Sequence, residues 1–436
     1  MWRTLSLALV ALSLLAGMPG EAARPTRRTR RPPVPPQLVW HVETLAGEAI
    51  DSREADTPIN PASVVKVATS LWALERLGPD LRFETRFSAR GQLDPKWSVL
   101  RGDLVVTGAG DPDFHAENAF LVALALNQIG VREVRGPLIV SRKFFIGWEN
   151  GSAGTNADPF QRGLAMATRL RQALDPKRWN GDLRRAWREL ARRRGFDPAR
   201  PPRVGVAGGV GVDGEASTGE LLVVHRSEPL ASALRRFNCF SNNDIERVGK
   251  LLGPVDELSS VITLRCAAAP ETVSFETTSG LGTNRLTPRT IVRLLREFRE
   301  TCTKAGLAVE SMLSVAGCDP GTVTRFFPLL ASGAYATSVM GKTGTLTSTD
   351  GGVSVIAGFA NTADGELVFC LAAPHAGSKL RLSRRTQEKW LLDLLASHGG
   401  PRPRTCAPPL PDPDSDASII VVKGGEPPPA PPSAAP

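Results

Sequence analysis

Beyond its first two dozen positions the chain has no run of about 20 apolar residues, so nothing there reads as a membrane span. Its five histidines are scattered and form no His-Glu-x-x-His or other metal-ligand spacing. The six cysteines, at 239, 266, 302, 318, 370 and 406, match no metal motif either. No metal and no cofactor are expected. A chain of 436 residues can bury a core without disulfides, and spacing alone does not reveal which cysteines pair. Nucleotide signatures also fail. Gly341-Lys342-Thr343 resembles the end of a phosphate loop, but position 336, where a glycine is needed, is alanine. Gly209-x-Gly211-x-x-Gly214 lacks the strand-then-helix setting of a dinucleotide site and reads as a loop.

What is present is the composition of a globular protein, 42% apolar and 22% charged, with a net charge of +9 that comes mainly from arginine. Such an excess suits an anionic partner or simply a solvated surface. Residues 1–22 read as a signal peptide: Arg3, an apolar core from Leu5 to Leu15, and the small-x-small site Gly20-Glu21-Ala22. The apolar run is too short to span a bilayer, and no cysteine near the cleavage site offers a lipid anchor. The expected protein is exported to the periplasm or cell envelope, with no transmembrane anchor. Nucleic acid is not an expected partner there.

Residues 23–37 form a basic, proline-rich linker, and 401–436 a proline-rich tail without periodicity, expected to be disordered. Between them, strands are expected at 38–45 and near 49–50, then a helix closing at Gly78. Short strands follow over 83–107, and 158–199 is mostly helical and arginine-rich, with Asp182 a candidate N-cap. A helix over 287–304, three successive strands over 339–373 and a closing helix over 384–397 complete the pattern.

Asn60-Pro61-Ala62-Ser63-Val64-Val65-Lys66 opens the helix that ends at Gly78. Pro61 suits a first helical turn, and Lys66 lies one turn beyond Ser63 on the same face. A serine hydroxyl is a weak nucleophile until a base takes its proton, and a desolvated lysine can be that base. On these residues alone, a capping serine and an activated nucleophile both remain open. Two later motifs bear on the choice. Ser241-x-Asn243 places a hydroxyl and an amide together on what reads as a helical turn. Lys342-Thr343-Gly344-Thr345 starts a strand on which a peptide can lie and have its carboxylate held.

Ser-x-x-Lys, Ser-x-Asn and Lys-Thr-Gly in this order resemble the signature of penicillin-binding proteins and serine β-lactamases. The gap from Ser63 to Ser241 is far longer than in β-lactamases. With Gly108-Ala109-Gly110-Asp111-Pro112, Thr278-Ser279-Gly280-Leu281 and Asn284-Arg285, the chain is similar to class C low-molecular-mass penicillin-binding proteins, which are D-alanyl-D-alanine carboxypeptidases and endopeptidases. The resemblance implies an α+β fold of the penicillin-binding-protein and serine β-lactamase type, an antiparallel sheet flanked by helices. The peptidase domain would comprise 38–85 and 215–400, with a mixed α/β domain inserted over 86–214. It implies that Ser63 attacks the D-Ala-D-Ala carbonyl of peptidoglycan stem peptides, with Lys66 as base. Ser241 would relay a proton, Asn243 hold the substrate amide, and Lys342, Thr343, Gly344 and Thr345 bind its carboxylate end. The N–H groups of Ser63 and Thr345 would form an oxyanion hole, and β-lactams would act as covalent inhibitors. Asp111 is a further candidate for substrate binding, or a turn-forming aspartate. The chain departs from the family where Thr277–Thr283 replaces Asp-Gly-Ser-Gly-Leu-Ser-Arg, so that only Arg285 could supply the missing arginine, and at Gly317-Cys318-Asp319-Pro320-Gly321-Thr322. A β-lactamase and a catalytically silent wall-binding protein are the alternatives.

Overall fold

The alternation of apolar residues over 353–374 decides the central layer. In a strand, successive side chains point to opposite faces. Val355, Ala357, Phe359, Val368, Cys370 and Ala372 therefore face one core, and Ile356, Ala360, Leu367, Phe369, Leu371 and Ala373 the other. A sheet buried on both faces needs cover on both. The amphipathic helices Val65–Leu77 and Pro288–Lys304 pack on the first face through Ala68, Leu71, Leu294, Leu295 and Phe298. Helix Leu380–Ser397 covers the second through Leu391, Leu394 and Leu395. In this computed structural model, which describes residues 36–148, 158–214, 219–415 and 418–422, the sheet has six strands. Their order is Ser314–Val315, Val339–Leu346, Val353–Thr362, Gly365–Pro374, Val39–Thr44 and Ala49–Arg53, and every neighbouring pair is antiparallel. Strand Ser314–Val315 pairs only with Gly341 and Met340, so from Lys342 onward that edge of the neighbouring strand has no strand partner among the described residues.

A second sheet with its own core lies in the long gap between Ser63 and Ser241. The hairpin Glu84–Asp94 and Val99–Gly108 is antiparallel, and the parallel strands Glu133–Val134, Leu138–Ser141, Gly205–Val206 and Val210–Asp213 extend it. Gly91 faces Gly102 in the hairpin because a Cβ at Gly91 would stand 2.3 Å from the Arg101 carbonyl oxygen. Helices Ala116–Gln128, Pro159–Leu174 and Gly181–Arg194 cover this sheet through Phe120, Leu126, Leu170 and Trp187. The inserted layer is thus mixed α/β, but its sheet reaches past the expected limit of 214, because Glu220–Arg226 pairs with Glu84–Asp94. The segment 209–214, expected as a loop, supplies the strand Val210–Asp213. Asn180, not Asp182, caps the arginine-rich helix, accepting from Leu183 N at 3.0 Å.

The C-terminal segment differs from expectation over 401–415 and 418–422, which are ordered. Its prolines and polar residues build no core of their own, but two other parts of the chain supply partners. Cys406 is bonded to Cys318. Arg404 pairs with Glu310 and Glu366, and Arg235 donates to the Pro408 carbonyl at 2.7 Å. Farther along, the fully buried Asp414 meets Arg193 at 3.0 Å and also contacts Arg194, and Ser418–Val421 pairs with Glu220–Arg226. Part of the arginine excess is accordingly spent within the molecule. The expected signal peptide (1–22) and nearly all of the linker (23–37) lie outside the described residues. The disulfide closes a loop across 88 positions, so Cys406→Ser should lower the unfolding free energy by about 2–4 kcal/mol. Thermal melts of the oxidised wild type and the variant check this, and equal midpoints would refute it.

Candidate active site

Ser63 lies in a short 3-10 turn, Ala62–Val64, that runs into helix Val65–Leu77, with Pro61 just before it. The preceding residue, Ala62, has φ +47°, a strained conformation for a residue with a side chain. The Asn60 side chain holds it there by accepting from Ala62 N at 3.0 Å. Two glycines from distant segments press on the same turn. A Cβ at Gly280 would stand 1.9 Å from the Ala62 carbonyl oxygen, and one at Gly344 would stand 2.5 Å from that of Pro61. Only side-chain-free residues let the 277–282 loop and the Lys342 strand approach the nucleophile this closely.

Lys66 is fully buried one helical turn beyond Ser63. Its ammonium donates to Ser63 Oγ at 3.0 Å, Asn243 Oδ1 at 3.0 Å and the Ser279 carbonyl at 2.6 Å. Burial pulls its pKa down to about 7, against the opposing pull of the Glu246 and Asp244 carboxylates. Half of the chemistry is therefore set near neutrality: a lysine that can exist as a free amine, in contact with a partly accessible serine. Ser241 forms the other half with Lys342, which donates to Ser241 Oγ at 2.9 Å and to the Thr343 carbonyl at 2.7 Å. Burial, and then the charge of Lys66, hold the Lys342 ammonium well below its ordinary pKa, so an anion arriving beside it would favour its charged form.

Ser241 does not sit within a helix as expected. It ends helix Leu230–Phe240 in the left-handed conformation (φ +60°), and Asn243 precedes helix Ile245–Leu252. This reversal between helices lets Ser241 turn to Lys342 and Asn243 to Lys66. Thr343 Oγ1 donates to Thr322 at 2.7 Å, and Thr345 Oγ1 accepts from Arg384 at 3.0 Å. The structure brings together Ser63, Lys66, Ser241, Asn243, Lys342 and the strand carrying Thr343, Gly344 and Thr345. It does not bring Asp111 to them. That residue is 2% exposed and contacts the Asp113 N–H at 2.9 Å and His225 at 3.9 Å, and burial raises its carboxyl pKa to about 7. It sits in a turn, packed within the protein. Arg285 is likewise engaged elsewhere, in a two-point pair with Asp350 at 2.8 and 3.0 Å, and does not replace the missing arginine.

Three supporting residues escaped the sequence reading. Glu246 accepts from Thr278 Oγ1 at 2.8 Å and Ser279 N at 2.7 Å, fixing the carbonyl that Lys66 contacts. Thr69 donates to the Thr278 carbonyl at 2.6 Å. Both had a local signal, since Glu246 lies three positions after Asn243 and Thr69 three after Lys66, one helical turn in each case. Asn60 is local only in its contact with Ala62 N; its other partners, Gly282 and Asp350, lie more than 200 positions away. Among the described residues no three His, Cys, Asp or Glu side chains converge to hold a metal. No described helix is long and apolar enough to cross a membrane.

A family model described as D-Ala-D-Ala carboxypeptidase 3 (S13) matches residues 37–159 and 203–391. A D-alanyl-D-alanine carboxypeptidase of Actinomadura sp. (strain R39) is 36% identical over 104 residues, 24% of this chain but only 19% of that protein. A carboxypeptidase of Mycobacterium tuberculosis is 26% identical over 346 residues, 72% of this chain and 71% of the relative. A predatory peptidoglycan endopeptidase of Bdellovibrio bacteriovorus is similar in structure, with a TM-score of 0.71 at 21% identity over 88% of this chain and 98% of that one. A further structure of the same endopeptidase is described as penicillin G acylated, in complex with an immunity protein. Penicillin-binding protein 4 of Haemophilus influenzae gives a TM-score of 0.57 at 18% identity, covering 82% and 97%. At these identities the structural likeness establishes the α+β fold.

Proposed function

The chain belongs to the D-Ala-D-Ala carboxypeptidase 3 (S13) family, and from that membership we propose that it is an exported serine D,D-peptidase acting on D-alanine bonds of peptidoglycan stem peptides. The observation that carries the reading is a buried Lys66 ammonium 3.0 Å from both Ser63 Oγ and Asn243 Oδ1, with its pKa drawn to about 7. As the free amine, Lys66 takes the Ser63 proton while Oγ attacks the D-Ala carbonyl carbon. The developing oxyanion is held by the N–H groups of Ser63 and Thr345. Ser241, beside Lys342, passes a proton to the departing nitrogen as the C–N bond breaks. Water then attacks the Ser63 ester and regenerates the hydroxyl.

The substrate peptide lies along this edge of the strand from Lys342 onward, in the manner of an added strand. Asn243 engages its amide, and Lys342, Thr343 and Thr345 its carboxylate, with Gly344 leaving room for the backbone. The substrates are cell-wall polymers, which puts the site of action in the periplasm or envelope, and β-lactams are covalent inhibitors at Ser63. Intact mass after brief exposure to benzylpenicillin, with Ser63→Ala alongside, tests the proposal. A stable adduct on the wild type alone is expected. Loss of penicillin without an adduct would point to a β-lactamase, and intact penicillin without an adduct to a silent binding protein.

A further inference from the structure

The strand carrying Lys342 and Thr345 also borders a second concavity. Arg384, which donates to Thr345 Oγ1, lies with its guanidinium carbon 3.6 Å from the centre of the Phe326 ring. Phe326 ends the short helix Thr322–Phe326, whose first residue accepts from Thr343. Two contacts thus tie this region to the motif strand. Beside them an open groove of about 680 Å³ is lined by Arg325, Arg381, Arg384, Arg385 and Lys389. Its apolar side includes Phe326 and Leu329, the latter 56% exposed.

The groove is lined by five cationic side chains against a single carboxylate. Its one carboxylate, Glu388, is engaged by the backbone N–H groups of Leu329 and Leu330 at 2.7 and 3.4 Å. Among the described residues no carboxylate forms an ion pair with Arg325, Arg381, Arg385 or Lys389. The arginines of the inserted helix contrast with this, since Arg193 and Arg194 are paired to Asp414. Burial first, and then the nearby Arg325, hold the Arg384 pKa below its usual range. A concave field of one sign attracts the opposite one.

We infer that this groove is the leaving-side extension of the Ser63 cleft and takes the carboxylate-bearing second stem peptide of a cross-linked peptidoglycan dimer. The inference rests on the D,D-peptidase reading and names its substrate class. When a terminal D-alanine leaves, Lys342, Thr343 and Thr345 suffice to hold it, and cations beyond Thr345 have nothing to bind. When a cross-link is cut, the amide C–N bond breaks and the D-Ala carbonyl carbon joins Ser63 Oγ. The departing nitrogen takes a proton by way of Ser241 and remains the side-chain amine of a whole second stem peptide, with several carboxylates. Only the second case uses the groove.

Calorimetry on full-length Ser63→Ala protein separates the two. The probes are a purified disaccharide-pentapeptide monomer, its cross-linked dimer and inorganic polyphosphate, each at low and high salt. With three exposed charge pairs in play, the dimer should bind about tenfold more tightly than the monomer at low salt. That preference should disappear in an added Arg381→Gln/Arg385→Gln/Lys389→Gln variant. With Ser63 restored, the same triple change should lower the kcat/KM ratio of dimer to monomer by a similar factor. Equal affinities, or a preference that survives the triple change, would overturn the subsite. So would groove-dependent binding of polyphosphate without any preference for the dimer. Absence of a benzylpenicillin adduct on the wild type would instead overturn the peptidase reading beneath it.

Discussion

Replacing Lys66 by methionine is expected to slow acylation of Ser63 by benzylpenicillin about 10²–10⁴-fold, the usual contribution of a positioned general base. Methionine fills most of the lysine's buried volume and carries no charge, so the site should remain folded. It leaves the buried Ser279 carbonyl without the lysine donor, a cost of about 1–3 kcal/mol that a thermal melt would register. The wild-type pH profile carries the sharper test. Burial draws the Lys66 pKa from 10.5 to about 7, and the amine is a base only when deprotonated. Acylation should therefore rise as pH increases through about 7 and level off above it. The Glu246 carboxylate raises the Lys66 pKa, so Glu246→Gln should move this rise to lower pH. Its plateau should also drop, because an amide oxygen cannot replace both acceptors of Thr278 Oγ1 and Ser279 N. A Lys66→Met enzyme that acylates at the wild-type rate would refute the role of the lysine.

Gly280→Ala is expected to be nearly as damaging to activity and worse for stability. The new methyl would have to adopt φ +85° and would start 1.9 Å from the Ala62 carbonyl oxygen. Both obstacles are backbone, so no side-chain rotation relieves them, and a loss of about 2–4 kcal/mol follows. Relief can come only by shifting the 277–282 loop or the Ala62–Val64 turn, which carry the Ser279 carbonyl and Ser63. A displacement near 1 Å at a reacting group can cost about 10²-fold in rate. Gly78→Ala is the control, since Gly78 also has positive φ (+77°) but would place its methyl with nothing within 4 Å. It should cost about 1–2 kcal/mol and leave acylation unaltered. Equal acylation losses in both variants would show that loop packing against the nucleophile is not what matters at Gly280.

What could be read before folding was whatever a short segment determines locally. Ser63 and Lys66 share a helical face because 3.6 residues make a turn, wherever that helix sits. Val353–Thr362 and Gly365–Pro374 alternate between two cores, which already requires helices on both faces of the sheet. Glu246 and Thr69 each lie one helical turn beyond a motif residue, so the same local reasoning reaches them. Ser241 was beyond it: a left-handed serine at a helix end is imposed by the reversal into Ile245–Leu252 and by its contact with Lys342, 101 positions away.

The sequence by itself determined the strands of the central sheet and which residues are candidates to react, because each follows from spacing within a few turns or strands. Tertiary structure alone decided which polar groups meet. It joined Lys66 to Asn243 across 177 positions, buried Asp111 beside the Asp113 N–H and His225, and gathered five cationic side chains around one carboxylate in the 325–389 groove. It also ordered residues 401–415 and 418–422 of a tail that composition marked as disordered. Composition reports whether a segment can bury a core of its own. It does not report whether Cys318, Arg193 and an open sheet edge await that segment elsewhere in the chain.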